Sequence, residues 1–242
     1  MPQALQNPFT GAIGAEYEML RLICPTAAEL AGMVGRRVAD FRPGEALSGL
    51  EIGCGTGVAT LSLLSARADL RLLAVDSSPK MLEQARANLA DFEGAGRVAF
   101  KLADALVALQ ETPSSSLDVV ASNYATHNFE AEHRRRVFEE IARTLKPGGI
   151  FVNGDRFAID DAAAHVAHTQ GEVRHWFKTF AALNRYDLLE EWVLHLFSDE
   201  SPAHIMRFAP TLRALGEAGF APVVAEWREG VDALVVATKP AA

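Results

Sequence analysis

The amino-acid sequence predicts an α/β fold: a Rossmann-like, doubly wound, seven-stranded sheet, mostly parallel, with a C-terminal antiparallel hairpin and a helical cap. Three observations favour this fold. From Leu47 onward, short apolar segments alternate with helical segments, which is typical of a parallel sheet with helices on both faces. The glycine turn GCGTG joins the first of these strands to its helix. Near the end of the chain, two strand-like segments flank a single glycine turn, so they are expected to pair antiparallel.

The first half of the core contains three strand segments. LSGLEI leads into the glycine turn, and VATLSLLSAR continues from it as a helix. LRLLAVD is almost continuously apolar, as expected of a strand buried on both faces. The next segment, SSPKMLEQARANLADF, is a helix with Ser78 as its capping residue and Pro79 as its first residue. RVAFKLAD follows as the third strand.

The second half of the core repeats this alternation. SLDVVASN is a strand, Glu130–Leu145 has helical periodicity and ends at KPGG, and GIFVNGD is the next strand. TLRALGEAGF is the last helix, and the two closing strands meet at Gly230. The chain therefore divides into an N-terminal helical segment (1–45), a core (46–155), a helical cap or substrate insertion (156–208), and a last helix with the antiparallel hairpin (209–242).

The composition excludes several classes of function. A net charge of −8 argues against nucleic-acid binding, which needs clustered Lys and Arg; the short basic run His133–Arg136 is expected to be a solvated helix face. Cys24 and Cys54 have neither disulfide-framework nor zinc-site spacing. No apolar run approaches the about 18 residues that span a membrane. We expect a cytoplasmic protein, a monomer or homodimer, with no nucleic-acid or membrane partner.

The glycine turn by itself leaves a dinucleotide, a phosphate and a methyl donor open as ligands. Its glycines allow the backbone to approach a ligand closely. The dinucleotide pattern GxGxxG fails, because Val58 or Thr60 stands where the third glycine belongs, and the GK[ST] ending of a P-loop is absent. What remains is the pattern E-x-G-x-G-x-G, from Glu51 to Gly57.

Five segments in order, LEIGCGTG, AVDSSPKML, LADA, LDVVASNYATHNF and LKPGGIFVNGD, resemble the class I S-adenosylmethionine (SAM) dependent methyltransferases of the small-molecule type. The resemblance covers about residues 47–155 and the closing hairpin. It implies SAM as cofactor and S-adenosylhomocysteine as product.

The resemblance also implies roles for individual residues. Asp76, at the end of the second strand, would accept hydrogen bonds from the ribose hydroxyls. Asp104 would accept from the adenine amino group, and Arg21, in a helix folded over SAM, would pair with the methionine carboxylate. The full set of expected cofactor-binding residues is Tyr17, Arg21, Glu51, Gly53, Cys54, Gly55, Gly57, Asp76, Ser77, Met81, Asp104, Ala105 and Asn123.

The methyl acceptor is expected to be a small organic molecule, bound through an O, N, S or C nucleophile. The fourth strand ends in SNYATH, without the prolines that mark nucleic-acid amino-methylating enzymes, and no cysteine follows Cys54. His127 is the first candidate for a base or acceptor-orienting group, because its unperturbed pKa lies near neutrality. Tyr124 and Asp155 are the other catalytic candidates; a structural role for each, such as a capping histidine or a turn, stays open.

The cap carries a polar stripe at helical spacing: Asp161, His165, His168, Glu172 and His175. His165 and His168 have a spacing that can chelate a transition metal. Gly171 is a candidate helix break, and a solvated face or the lining of an acceptor cleft also accounts for the stripe. We therefore predict no metal site.

Two alternatives to a methyltransferase remain open. Carboxy-SAM synthases, which act on SAM and prephenate, resemble this chain in layout, although their first glycine loop usually differs from GCGTG. A non-catalytic SAM-binding regulatory protein is the second alternative. It would show erosion of the glycine loop or of Asp76, and neither is eroded.

Overall fold

The computed structural model describes residues 24–241 and confirms the seven-stranded sheet. Its strands lie in the order β3-β2-β1-β4-β5-β7-β6. Strand β7 runs antiparallel to both of its neighbours, and the other neighbouring pairs are parallel. The bounds are β1 (Leu47–Ile52), β2 (Leu70–Asp76), β3 (Val98–Leu102), β4 (Leu117–Asn123), β5 (Leu145–Arg156), β6 (Val223–Glu229) and β7 (Asp232–Thr238).

Helices cover both faces of the sheet. Ser78 caps α3 as the sequence predicts, since its side chain accepts a hydrogen bond from the Met81 N–H, and Pro79 is the first helical residue. The described helices are α1 (Pro25–Ala39), α2 (Val58–Ala66), α3 (Pro79–Asn88), α4 (Ala90–Gly94), α5 (Ala105–Glu111), α6 (Ala131–Thr144), α7 (Ala162–Ala182), α8 (Tyr186–Asp199) and α9 (Phe208–Glu217), with a 3₁₀ turn at Thr126–Asn128.

The apolar core forms one layer on each face of the sheet. On one face, Phe151 of β5 packs with Ile141 of α6 and Leu215 of α9. On the other face, Val34 of α1 and Leu63 of α2 pack against the sheet. Burial of such side chains stabilises the fold by roughly 1.5–3 kcal/mol each. The two layers hold the strand ends rigidly, so side chains at the carboxyl edge have fixed positions.

The cap consists of α7 and α8, which pack on each other through Trp176, Phe180, Leu188 and Trp192. Helix α7 continues through Gly171, so the predicted break does not occur. A mid-helix glycine costs only about 1 kcal/mol, which the buried contacts of Trp176 and Phe180 in the second half of α7 offset.

One sequence expectation about the surface is wrong. The run His133–Arg136 is not entirely solvated, because Arg134 is buried. Its guanidinium donates to the carbonyl oxygens of Phe129 (3.1 Å) and His204 (2.9 Å). Phe129 follows β4 and His204 follows α8, both in irregular backbone, so their carbonyls have no ladder partners and Arg134 satisfies them.

The predicted cofactor residues Tyr17 and Arg21 lie outside the described residues. Among the helices of residues 24–241, none combines the length and the apolar character needed to cross a membrane.

Candidate active site

Two adjoining pockets open at the carboxyl ends of the parallel strands. The sheet order reverses between β1 and β4, and ligands bind at this kind of switch point in open α/β sheets. The glycine-side pocket encloses about 610 Å³ of non-atom space, open solvent included. Its wall consists of Gly53, Gly55, Val75, Asp76, Ser77, Met81, Ala103, Asp104, Ala105, Tyr124, Ala125, Asn128 and Phe129.

The glycines of the loop after β1 have different tasks, although each has a positive φ. A Cβ atom on Gly53 would lie 2.4 Å from the Cβ of Ala125, so Gly53 permits close packing of two loops. Gly57 is the N-cap of α2, and a Cβ there would meet Leu89 at 2.7 Å. At Gly55 a Cβ would meet nothing within 4 Å. Gly55 therefore faces the space of the pocket, as a residue under a ligand must.

Asp76 ties the glycine loop to the end of β2. Its Oδ2 accepts from the Gly55 N–H and its Oδ1 from the Ser78 N–H, both at 2.8 Å. Burial raises the pKa of this carboxyl group, although these backbone donors oppose the shift. Each carboxylate oxygen retains acceptor capacity beyond one hydrogen bond. Asp76 can thus shape the loop and still accept from ligand hydroxyl groups.

Asp104 is the N-cap of α5. Its Oδ1 accepts from the Leu106 N–H at 2.9 Å and the Val107 N–H at 3.3 Å, and its Oδ2 lies 3.4 Å from His133 Nε2. This residue also lines the glycine-side pocket. Asp104 therefore caps α5 and also lies in the wall of the glycine-side pocket, so the two interpretations of this residue do not exclude each other.

Four predicted cofactor residues do not line the glycine-side pocket but lie behind its lining: Glu51, Cys54, Gly57 and Asn123. Glu51 is fully buried, and its Oε2 accepts from the Thr60 hydroxyl at 2.6 Å. Burial raises its pKa to about 8. Its Oε1 has no hydrogen-bond partner among residues 24–241. Asn123 Nδ2 donates to the Ala27 carbonyl at 3.1 Å, which joins β4 to α1.

Sequence reasoning missed Val75 and Ala103 of this wall, and it also missed three neighbours in the chain, Ala125, Asn128 and Phe129. They follow β4 directly, within the segment NYATHNF. The buried Oδ1 of Asn128 has no partner in the described part of the chain, as expected of an atom that bonds a ligand. Their position just after a strand at the switch point was the available signal.

The cap-side pocket lies between the sheet edge and the two cap helices and encloses about 510 Å³ of non-atom space, open solvent included. Tyr124 belongs to both walls, so the two pockets adjoin at its ring. The lining of the cap-side pocket is Cys24, Tyr124, His127, Arg156, Glu172, Trp176, Trp192, His195, Leu196 and Asp199.

Tyr124 is held in a strained backbone conformation between the pockets. Its φ is +51°, a left-handed value that is uncommon for a bulky residue. The backbone N–H donates to the Gly154 carbonyl at 2.8 Å, and the hydroxyl donates to Asp232 and contacts Cys24 Sγ at 3.1 Å. Strain of this kind persists where surrounding contacts over-determine the residue, often at functional sites.

His127 presents one ring nitrogen to the cap-side pocket, because Asp155 holds the other. Its Nδ1 lies 2.5 Å from Asp155 Oδ1. Burial disfavours charge on the imidazole, but attraction to the Asp155 carboxylate prevails and raises the pKa of His127. Burial likewise opposes ionisation of Asp155, and its contacts with His127 and the Thr126 hydroxyl nevertheless lower its pKa. Nε2 of His127 therefore remains for a ligand.

Asp155 itself is completely buried and does not line the pocket. Its Oδ2 accepts from the N–H and hydroxyl of Thr126, at 2.9 and 2.6 Å, and its Oδ1 accepts from the Arg156 N–H at 2.8 Å. Asp155 thus fixes the orientation of His127 from behind. Asp155 is therefore a positioning residue, because it contacts His127 and does not line the pocket.

Arg156, the one arginine that residues 24–241 place in the wall of the cap-side pocket, has its charge matched. The Arg156 guanidinium donates to both carboxylate oxygens of Glu172, at 2.6 and 2.8 Å, and to Glu200 at 3.2 Å. Asp199 adds a further carboxylate to the same wall. These described groups therefore do not present an uncompensated positive charge to a ligand.

The polar stripe of the cap is divided between interior and surface. His165 is buried, and its Nε2 lies 2.6 Å from Glu200 Oε2. Glu172 faces Arg156 in the pocket, whereas His175 is exposed. The i,i+3 pair His165 and His168 binds different partners, because His168 Nε2 lies 3.8 Å from Glu172. The stripe is neither a solvated face nor a single cleft lining.

The comparisons with known proteins agree with this geometry. Residues 50–149 match a family model described as a methyltransferase domain. A carboxy-S-adenosyl-L-methionine synthase from Erwinia tasmaniensis is 29% identical over 60% of this chain and 58% of that protein. One from Klebsiella pneumoniae is 26% identical over 72% of this chain and 67% of that protein. The chain spans about three-fifths of the length of the curated relatives it matches.

Solved structures share the fold at low sequence identity. A carbon methyltransferase, CurJ, superposes with a TM-score of 0.67 at 17% identity, covering 97% of this chain and 61% of that one. An O-methyltransferase family protein from Burkholderia thailandensis gives a TM-score of 0.64 at 18% identity, covering 95% of this chain and 60% of that one. These similarities show that the chain shares the fold of these structures.

Proposed function

The chain carries a class I SAM-dependent methyltransferase domain, and from this premise we propose that it is an enzyme that transfers the methyl group of SAM to a small organic acceptor. SAM supplies an electrophilic methyl group on a good leaving group. The protein has to align the nucleophile with the S–CH₃ bond for in-line displacement and to exclude water.

The observation that carries the proposal is the junction of the two pockets at Tyr124. In the glycine-side pocket, Gly55, Asp76 and Asn128 offer open backbone, acceptor oxygens and an unpartnered amide oxygen to SAM. Ser77, Met81 and Ala105 complete its adenine side in this proposal. Two adjoining pockets in one crevice suit a two-substrate transfer reaction better than a binding protein for one ligand.

In the cap-side pocket, His127 and Tyr124 are the residues proposed to touch the acceptor. His127 presents Nε2, and Asp155 holds the ring in place. Trp176 and Trp192 supply flat apolar walls. The buried Nε1–H of Trp192 has no acceptor within residues 24–241, so it is available to an oxygen of the acceptor.

The carboxy-SAM synthase reaction is the second candidate, because the curated relatives described above carry that name. Prephenate is a dicarboxylate and needs cationic partners. Arg156 is already bonded to two carboxylates, and Asp199 stands in the same wall. The described part of the cap-side pocket therefore favours a neutral or cationic acceptor over a dianion.

The proposal is tested by incubating the protein with methyl-labelled SAM and a fractionated metabolite extract, followed by mass spectrometry. We expect label in one small molecule together with S-adenosylhomocysteine. A carboxylated SAM formed with prephenate would support the second candidate instead. Binding of SAM without transfer to any fraction would argue for a regulatory protein.

A matched pair of histidine variants locates the transfer site. His127→Asn removes the side chain that orients the acceptor, and we expect transfer to fall at least about tenfold while SAM affinity stays within about twofold. His175→Gln changes an exposed histidine on α7 and serves as the control. Equal rates for both variants would exclude His127 from the site.

A further inference from the structure

We propose that His127, His195 and Asp199 form a binding site for one divalent transition-metal ion in the wall of the cap-side pocket. His127 comes from the 3₁₀ turn after β4, and the other two lie four residues apart on one face of α8. One ligand atom from each residue lies within 4.8 Å of the others. Two chain segments far apart in sequence thus converge on one point.

The donor set indicates the class of metal. Two imidazoles and one carboxylate suit zinc, iron, cobalt, nickel or copper, whereas magnesium and calcium prefer oxygen donors alone. Three protein ligands also leave at least one coordination position for water or a substrate, which is the pattern of catalytic rather than structural sites. The open side of this group is the cap-side pocket itself.

The surroundings of His127 match those of a metal-binding histidine. Such residues commonly donate their second ring N–H to a carboxylate, which fixes the tautomer and the ring orientation. Asp155 Oδ1 occupies that position at 2.5 Å from Nδ1, and it is itself held by Thr126. Nε2 is thereby directed to act as the ligand atom.

The distance from His127 to the α8 pair needs a modest adjustment, whereas the pair itself already has the spacing of metal ligands. His195 Nε2 lies 3.4 Å from Asp199 Oδ2, and both side chains are about one-tenth exposed. A tetrahedral ion with bonds of about 2.1 Å holds its ligand atoms about 3.4 Å apart, so no separation in the group has to close by more than about 1.4 Å on binding. The Trp192 ring lies edge to face with His195 at 5.7 Å and limits its rotation.

The local charge favours a cation at this point. Asp199 belongs to the group and Asp155 contacts His127, and Glu172 and Glu200 match the charge of Arg156. An ion held here would meet an oxygen or nitrogen atom of the methyl acceptor and take over its orientation from the His127 imidazole. That role rests on the proposed function, whereas metal binding does not.

The test uses chelator-treated full-length protein and two metals. Titration with cobalt(II) chloride, followed by visible d–d absorption, and with zinc chloride, followed by calorimetry, should each give one ion per chain. His195→Gln and Asp199→Asn should each weaken binding at least about tenfold, and the double variant should abolish the cobalt spectrum. His175→Gln, on the exposed side of α7, should bind as the unmodified protein does.

Affinity for SAM, measured on the same samples, shows that each variant is folded and separates this proposal from the proposed function. Absence of a cobalt spectrum and of zinc heat in protein that binds SAM would overturn the metal site and leave methyl transfer standing. Undiminished binding in the double variant would overturn it as well. Metal binding by protein that transfers no methyl group would support the site and contradict the function.

Discussion

The glycine-side and cap-side pockets adjoin at Tyr124 but are lined by different kinds of chemical groups. The glycine-side pocket is made largely of backbone and small side chains that follow consecutive strands, and Gly55 and Asp76 define its shape. The cap-side pocket is made of large polar and aromatic side chains from the sheet edge and from two helices. Short sequence motifs therefore predict the glycine-side pocket, whereas the cap-side pocket forms only when the cap helices have packed on the sheet.

This difference predicts different responses to substitution. A change in the glycine-side pocket should alter ligand affinity with little effect on the cap. A change in the cap-side pocket should also loosen the attachment of α7 and α8, because its polar residues hold these helices to β5.

The largest expected effect comes from Arg156→Gln. It removes the guanidinium that joins β5 to Glu172 on α7 and to Glu200 after α8, and it leaves two part-buried carboxylates without their cation. Loss of one partner of a buried ion pair costs roughly 3–5 kcal/mol. We expect the urea-unfolding free energy to fall by about that amount.

Arg135→Gln is the matched control for this measurement. Arg135 is exposed on α6 and pairs with Glu132 and Glu139, so solvent screens its contacts and no measurable change is expected. Equal losses for the two variants would contradict the view that Arg156 anchors the cap.

The second prediction concerns the glycine-side pocket. Asp76→Asn should weaken binding of S-adenosylhomocysteine by about 30-fold, because one of the charge-assisted hydrogen bonds to Gly55 and Ser78 is lost, at roughly 2 kcal/mol. Calorimetric titration measures the affinity, and Asp91→Asn, on the exposed surface of α4, is the control. Cobalt binding at the cap should stay unchanged; a parallel loss would show that the pockets are not independent.

The third prediction tests the buried floor of the glycine-side pocket through the pH dependence of the protein's stability. Burial raises the pKa of Glu51 from about 4.5 to about 8, so between these values the folded state keeps a proton that the unfolded chain has released. Stability contributed by this group is therefore present at low pH and is lost as the pH rises, at about 1.4 kcal/mol per pH unit.

Glu51→Gln removes this titration. The unfolding free energy of the variant minus that of the unmodified protein should increase from about pH 5 to about pH 8. Above about pH 8 this difference should stay constant. Denaturant unfolding at a series of pH values measures the difference. A constant difference across this range would show that Glu51 is ionised in the folded protein.

Much of the fold followed from the sequence because its signals are local. The alternation of strand and helix segments, the Ser78–Pro79 cap and the Gly230 turn each depend on neighbouring residues, and all appear in the structure. Arg134 and Gly171 were misjudged for the opposite reason. The carbonyls that bury Arg134 come partly from His204, and the packing that carries α7 through Gly171 comes from α8.

By itself, the sequence determined the parallel sheet with its closing hairpin and the position of the glycine-side pocket, since strand ends and glycine turns are fixed by short-range patterns. Tertiary structure alone decided that Asp155 lies behind His127, that Glu172 and Glu200 match the charge of Arg156, and that His195 and Asp199 face His127. The physical reason is that these contacts join residues 16 to 72 positions apart in the chain, a distance over which no periodicity carries information.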